Sequence, residues 1–310
     1  MLLVTTALED TWGTDEEILF LGEWCKLYER KDVWVNRKSM TLEDPFSDRA
    51  RRFAAYKYTD EVFNRAMSLL TDSLNKLHKT DYPIRFWKTL CEPWLRIFIT
   101  STYHNWECVS DTIDNFQNLE IIEIAIKLEN HIPIDMQSFE AKSVSDSWNN
   151  FIFSLIIKAR SNKLNLKTSA IKEDNTNSLA SLNLSLNKSM KRRVLSKIYM
   201  LLLKGFDFAA RTFNSPTAVL IVNPYLSKLN NLKLRIKLRV FARSVSRKEF
   251  NGPYGCNKDF RIALSSSSED HSEYEVFLNK ILLQQIPFMY VEGFLDLKKE
   301  AERNKWPKTP

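Results

Sequence analysis

The chain begins with Leu2–Thr6 (LLVTT), an apolar, β-branched run with no position before Thr5 that could turn a polar group to water. Such a run suits a strand buried on both faces, as in a parallel sheet packed between other layers. No other feature restricts the fold as much. A parallel strand cannot reach its neighbour through a hairpin, so a crossover of about a dozen residues or more has to follow it. Thr14-Asp15-Glu16-Glu17 reads as a capping box. The helix it starts is expected to run to about Arg30, with Ile18, Leu21, Cys25 and Tyr28 on one face. Asp32–Asn36 (DVWVN) then reads as a second strand. Strand, helix and strand in that order make a βαβ unit.

Two long helices are predicted next, over Asp48–Lys79 and Ile84–Asn115, with Pro93 expected to kink or restart the second. Leu119–Leu128 fits a third strand, although a helix is also compatible with it. Ser145–Arg160 reads as an amphipathic helix, and residues 162–189, rich in Asn, Ser, Lys and Leu, as a loose segment. Lys188–Lys204 reads as a basic helix, Ala218–Asn223 as a buried strand, and Leu232–Val240, apolar and basic in alternation, as a half-exposed strand. Ser265–Ser268 reads as a loop, and Glu273–Gln285 and Phe288–Arg303 as closing helices separated by Pro287. The fold class expected is α/β: Rossmann-like, with a mainly parallel sheet and long helices.

Composition narrows the function classes. The 310 residues are 44% hydrophobic and 27% charged, enough to build a core and too apolar for general disorder. With only six glycines there is neither a GxGxxG nor a GxxxxGK[ST] phosphate loop. Cys25, Cys91, Cys108 and Cys256 form no CxxC pair, and three of them lie in apolar or aromatic stretches, as free thiols do in a reducing compartment. The N-terminus lacks a basic leader, and no run of about 18 apolar residues occurs. A cytoplasmic protein is expected. The net charge of +7 permits peripheral contact with the anionic face of the inner membrane. Lys188, Lys191, Arg192, Arg193 and Lys197, and the row Lys233, Arg235, Lys237 and Arg239, are the residues that would make it, unless they are simply solvated. These basic residues are not interleaved with aromatics, so nucleic acid is not expected as a partner.

There is no GxSxG, HExxH or DxD, and His78, His104, His131 and His271 are not at metal-ligand spacing. The best place for a site is therefore the carboxyl end of the first strand, where ligands bind in open α/β sheets. Thr5, Thr6, Glu9, Asp10 and Trp12 fall there, offering hydroxyls, carboxylates and a ring suited to a sugar. The plainer alternative is that the threonines end a strand, Glu9 is solvated and Trp12 is core. Glu23, between Gly22 and Trp24 in an apolar stretch, either pairs with an Arg or faces the cleft. Trp87, Trp94 and Trp106 read as core, and Glu107 as a further candidate carboxylate.

Leu3–Gly13 (LVTTALEDTWG) and Phe20–Tyr28 (FLGEWCKLY) resemble the opening of a family of bacterial transferases found in surface-polysaccharide and O-antigen loci. Arg85-Phe86-Trp87, Pro93-Trp94-Leu95, Trp106-Glu107, Asp146-Ser147-Trp148-Asn149, and Ile286-Pro287 with Tyr290-Val291-Glu292-Gly293 resemble later elements of that family in order. Where the family carries H-W-D-D-R this chain reads Pro45-Phe46-Ser47-Asp48-Arg49, keeping only Asp48 and Arg49; its W-N-H element reads Trp148-Asn149-Asn150.

The resemblance implies the N-terminal half of a two-domain, GT-B-like glycosyltransferase. Residues 1–305 would form an acceptor-side domain with a helical insertion at about 47–117, and 306–310 a linker to a missing donor domain bearing a Q-H-G-G element. It implies an activated sugar donor and a glycan acceptor, with neither metal nor cofactor. Glu9 and Glu23 would be catalytic. Thr5, Thr6, Trp12, Trp24, Asp48, Arg49, Trp106, Glu107, Asp146, Asn149 and Glu292 would bind substrate. The competing expectation is a non-catalytic scaffold that binds glycan or a partner subunit.

Overall fold

Strand β1 (Leu2–Val4) is buried along its whole length, as its composition requires. The computed structural model describes residues 1–14, 16–122, 124, 128–160, 230, 233, 255–262 and 272–303. All of these except Asn230 and Lys233 belong to one unit, formed by Met1–Asp174 with Phe250–Trp306. β1 pairs in parallel with β2 (Ile18–Phe20), and β2 in parallel with β3 (Ser39–Thr41), with Leu3 beside Leu19 and Leu19 beside Met40. On the other side of β1, Leu2 makes an isolated parallel bridge to Glu120. Leu3 N donates to Glu120 O at 2.8 Å, and Glu120 N to Met1 O at 3.1 Å. The chain therefore runs outward from β1 to β3 and later returns to the opposite edge of β1.

The fold is α/β as expected, but mostly helical around a small parallel sheet, and its first crossover differs from the sequence reading. No helix spans Thr14–Arg30; β2 lies there instead. Ile18, Leu19, Phe20 and Leu21 are all buried, whereas the expected helix would have turned Leu19 and Phe20 outward. A strand between two layers buries all four. Leu19 and Leu21 join Leu3 in the large core, while Ile18 and Phe20 join Leu2 and Val4 against Trp12 and Cys25 on the opposite face. Thr14 does not open a capping box; its N–H donates to the Glu16 carboxylate at 3.1 Å. Short 3-10 turns at Glu9–Thr11, Glu23–Cys25 and Tyr28–Arg30 make up much of the connections. Asp32–Asn36, expected as a strand, overlaps the one-turn helix α1 (Lys31–Trp34), and the strand falls at Ser39–Thr41.

Helices α2 (Arg49–His78) and α3 (Ile84–Asn115) pack on each other and supply a large share of the core. Asp48 caps α2 by accepting from Arg51 N at 2.6 Å, and Lys79 closes it in the left-handed conformation. α3 continues through Pro93, with Trp87, Cys91, Trp94 and Leu95 buried on either side of the ring. Tertiary burial there outweighs the lost backbone hydrogen bond. Among the described residues of Leu119–Leu128, Glu120 and Ile122 stand at isolated bridge positions in place of a regular strand, and a short helix, α4, starts at Leu128 (Leu128–His131).

α5 (Met136–Ser143) opens on an Asp135–Ser138 capping box and leads to α6 (Asp146–Arg160), which lies against α3. After α7 (Lys258–Ile262), α8 (Glu273–Gln285) opens on a Ser272–Glu275 capping box. The expected helix Phe288–Arg303 is a 3-10 turn, Phe288–Tyr290, followed by α9 (Phe294–Arg303).

Trp87, Trp94 and Trp148 are fully buried, each removing a large apolar surface worth about 2–3 kcal/mol from water. Among the described residues no helix is long and apolar enough to cross a membrane. The readings at 162–189, 188–204, 218–223, 232–240 (Lys233 aside), 265–268 and 306–310 lie outside the described residues.

Candidate functional site

Strand order turns back at β1, and in open α/β sheets the crevice at the carboxyl ends of the strands beside such a reversal is where ligands bind. Thr5 and Thr6 leave β1 at that end. Ala7 N donates to Asp146 Oδ1 at 3.1 Å, which brings the first turn of α6 to the same place. Trp24 leans across it: its Nε1 donates to Thr5 O at 3.0 Å and its ring stacks parallel to Phe153 at 6.5 Å. The ring is 37% exposed, enough to present a face to a ligand. Gly22 makes this possible, since a Cβ there would stand 2.1 Å from the Trp24 ring.

His104 of α3 meets the Trp24 ring edge-on at 5.6 Å and lies against Phe46 at 5.7 Å. Its Nε2 is 3.5 Å from Asp44 Oδ1. One and two turns further along α3, Glu107 and Asp111 hold Arg51. Arg51 reaches both oxygens of Asp111, at 2.6 and 2.8 Å, and Glu107 at 2.9 Å. These bonds, Asp111's foremost, raise the Arg51 pKa above its ordinary value against the opposing effect of burial. A pocket of about 190 Å³, lined by Leu21, Leu42, Glu43, Pro45, Cys108, Asp111 and Asn115, opens beyond β2 and β3. It has room for about six waters. The carboxylates here outnumber the cations, so a neutral, hydroxyl-rich ligand suits the crevice better than an anion.

The buried thiols Cys25 and Cys108 are poor nucleophiles. Burial pushes Cys25 up to about 12, and burial beside Asp44, Asp111 and Glu107 raises Cys108 as well. Among the described residues no three His, Cys, Asp or Glu side chains converge as a metal site would require.

Of the residues singled out in the sequence, Thr5, Thr6, Trp24, Asp146 and Glu107 gather around this crevice. Thr6 is fully buried, its carbonyl accepts from Trp12 Nε1 at 3.2 Å, and its hydroxyl has no protein partner among the described residues. Trp12 is core and meets Phe20 edge-to-face at 5.2 Å. Glu9 forms a two-pronged ion pair with Arg30, at 2.7 and 2.6 Å, which lowers its pKa and weakens it as a base. Glu23 is exposed and pairs with Lys26 at 2.9 Å, so it is not the buried carboxylate that an apolar helix would have created.

Asp48 is the α2 cap, and Arg49 is exposed beside it. Trp106 is core, packed on Tyr274 and Phe277. Asn149 donates to Ser143 O and Ser145 O, fastening α6 to α5. Glu292 is half-buried and holds Arg261 with two bonds, at 2.9 and 2.7 Å. Arg261 in turn donates to Leu283 O and Ile286 O at the end of α8.

Sequence reasoning missed Asp44, Arg51, His104 and Asp111. A signal existed: Tyr103, His104, Glu107 and Asp111 share a helical face within an otherwise apolar stretch.

A family model described as LIC12162 family transferase matches residues 1–310, the whole chain. No curated protein and no solved structure matches the chain.

Proposed function

We propose, on the premise that the chain belongs to the LIC12162 family of transferases, that it takes part in glycosyl transfer during assembly of bacterial surface carbohydrate and that the described unit carries the acceptor side. The observation behind this reading is the half-exposed Trp24 ring at the β1 reversal, beside His104 and its partner Asp44, with Asp146 held at the same strand end by Ala7. An aromatic face covers the apolar side of a sugar ring, and carboxylates accept hydrogen bonds from its hydroxyls. A nucleoside diphosphate would be repelled by the same carboxylates.

In the reaction, the acceptor hydroxyl gives its proton to a base as its oxygen attacks the anomeric carbon of an activated sugar, and the nucleotide leaves with the bonding pair. His104, oriented by Asp44 beside Trp24, is better placed to take that proton than Glu9, which Arg30 holds, or Glu23, which faces solvent.

The test is mass spectrometry of the full chain incubated with a panel of nucleotide sugars and neutral oligosaccharides. Mass increments of one sugar on an acceptor, abolished by His104→Gln, support the reading. Acceptor binding without any transfer would favour a glycan-binding scaffold, and increments that persist at full rate in His104→Gln would remove His104 as the base.

A further inference from the structure

The first nine residues of α2, Arg49–Lys57, carry four cations and no acid. Arg51 turns inward to Asp111 and Glu107. The other three, Arg49, Arg52 and Lys57, share one face with Phe53 and Tyr56 at spacings of three and four residues. All five are exposed, Phe53 at 59% and Tyr56 at 69%. Lys57 lies over the Phe53 ring at 4.7 Å, and Arg52 is steadied by the Phe46 carbonyl at 2.8 Å. The acids nearest along the helix are engaged elsewhere: Asp48 caps it, Asp60 pairs with Arg96, and Glu61 lies 4.0 Å from Arg65. Glu43 and Asp44 are exposed in the preceding loop, and Asp44 is turned to His104.

We infer that this face of α2 docks on an anionic lipid bilayer. Two aromatic rings flanked by three cations on one convex helical face fit the boundary between phosphate headgroups and acyl chains. Net positive charge selects an anionic surface, and two exposed rings suit a fluid layer that closes around them. Docking places the pocket lined by Leu42, Glu43 and Pro45, in the loop before α2, beside the headgroups. The inference is independent of the transferase reading.

The experiment is co-sedimentation of the full chain with vesicles of phosphatidylcholine containing phosphatidylglycerol, against pure phosphatidylcholine. Binding is expected only to the anionic vesicles and is expected to weaken with salt. Each cation at the surface is worth about fivefold, so Arg49→Gln/Arg52→Gln/Lys57→Gln lowers partitioning about a hundredfold. Phe53→Ser/Tyr56→Ser lowers it tenfold or more at unchanged circular dichroism. No binding by the native chain would overturn the inference. So would undiminished binding by both variants, which would move the contact to other basic residues. Self-association lost in Phe53→Ser/Tyr56→Ser, without vesicle binding by the native chain, would assign the face to a second copy.

Discussion

Replacing Glu292 by Gln separates a structural role from a ligand-binding one. The carboxylate is 8% exposed and faces an Arg261 side chain that is 1% exposed. It accepts two bonds from Arg261 and one from Asn257 N at 2.9 Å. Glu292→Gln preserves the shape but leaves a buried guanidinium without its counter-charge, which costs about 3–5 kcal/mol. The midpoint of thermal unfolding should fall by roughly 5–15 °C. Removing both charges, in Arg261→Met/Glu292→Gln, keeps an acceptor for the Asn257 N–H and leaves chiefly the Leu283 and Ile286 carbonyls without their donor, at about 1 kcal/mol each, so the double variant should be more stable than either single one. Urea and thermal unfolding of the four proteins complete the cycle. Losses below about 1 kcal/mol in both single variants, or additive losses in the double, would refute the reasoning. Acceptor binding by folded Glu292→Gln should match the native chain.

Asn75 Oδ1 accepts from Thr80 Oγ1, Tyr82 N and Trp87 Nε1, so Asn75→Ala should cost about 2–4 kcal/mol in urea unfolding and alter Trp87 emission. Gly22→Ala should drive the Trp24 ring off Phe153 and the Thr5 carbonyl, losing about 1–3 kcal/mol of stability and at least tenfold in glycan affinity by calorimetry. Burial, ahead of the opposing Tyr290 carbonyl, lowers the His78 pKa below its ordinary 6.5. The unfolded chain then takes up the proton first, so this contribution to stability is present above pH 6.5 and is lost as the pH falls towards the folded value. Unfolding of His78→Gln should show a weaker acid dependence between neutral and mildly acidic pH.

The buried first strand, the two long helices, α6 and α8 were legible because their apolar periodicity is unambiguous over their lengths. β2 was not. Ile18–Leu21 is a short, wholly apolar run that strand and helix both satisfy, and only the layers on either side decide it. The polar pattern at Thr14–Glu17 reinforced the wrong choice, since a capping box is also a sequence that turns can use. At the candidate crevice, the rule that ligands sit at strand ends drew attention to Thr5 and Thr6, whereas Trp24 was read as part of a helix that does not form there. His104, Arg51 and Asp111 were not legible, because α2 and α3 bring them together across a separation of 53 to 60 residues that no local motif encodes.

The central claim is that the crevice at the β1 reversal holds a neutral sugar acceptor against Trp24. Calorimetric titration of the native chain and of Trp24→Ala with neutral oligosaccharides, and separately with nucleotide sugars, tests it directly. The account expects oligosaccharide binding that Trp24→Ala weakens at least tenfold, with no nucleotide-sugar binding lost by that change. Oligosaccharide affinity indifferent to Trp24, or nucleotide-sugar binding that depends on it, would contradict the account.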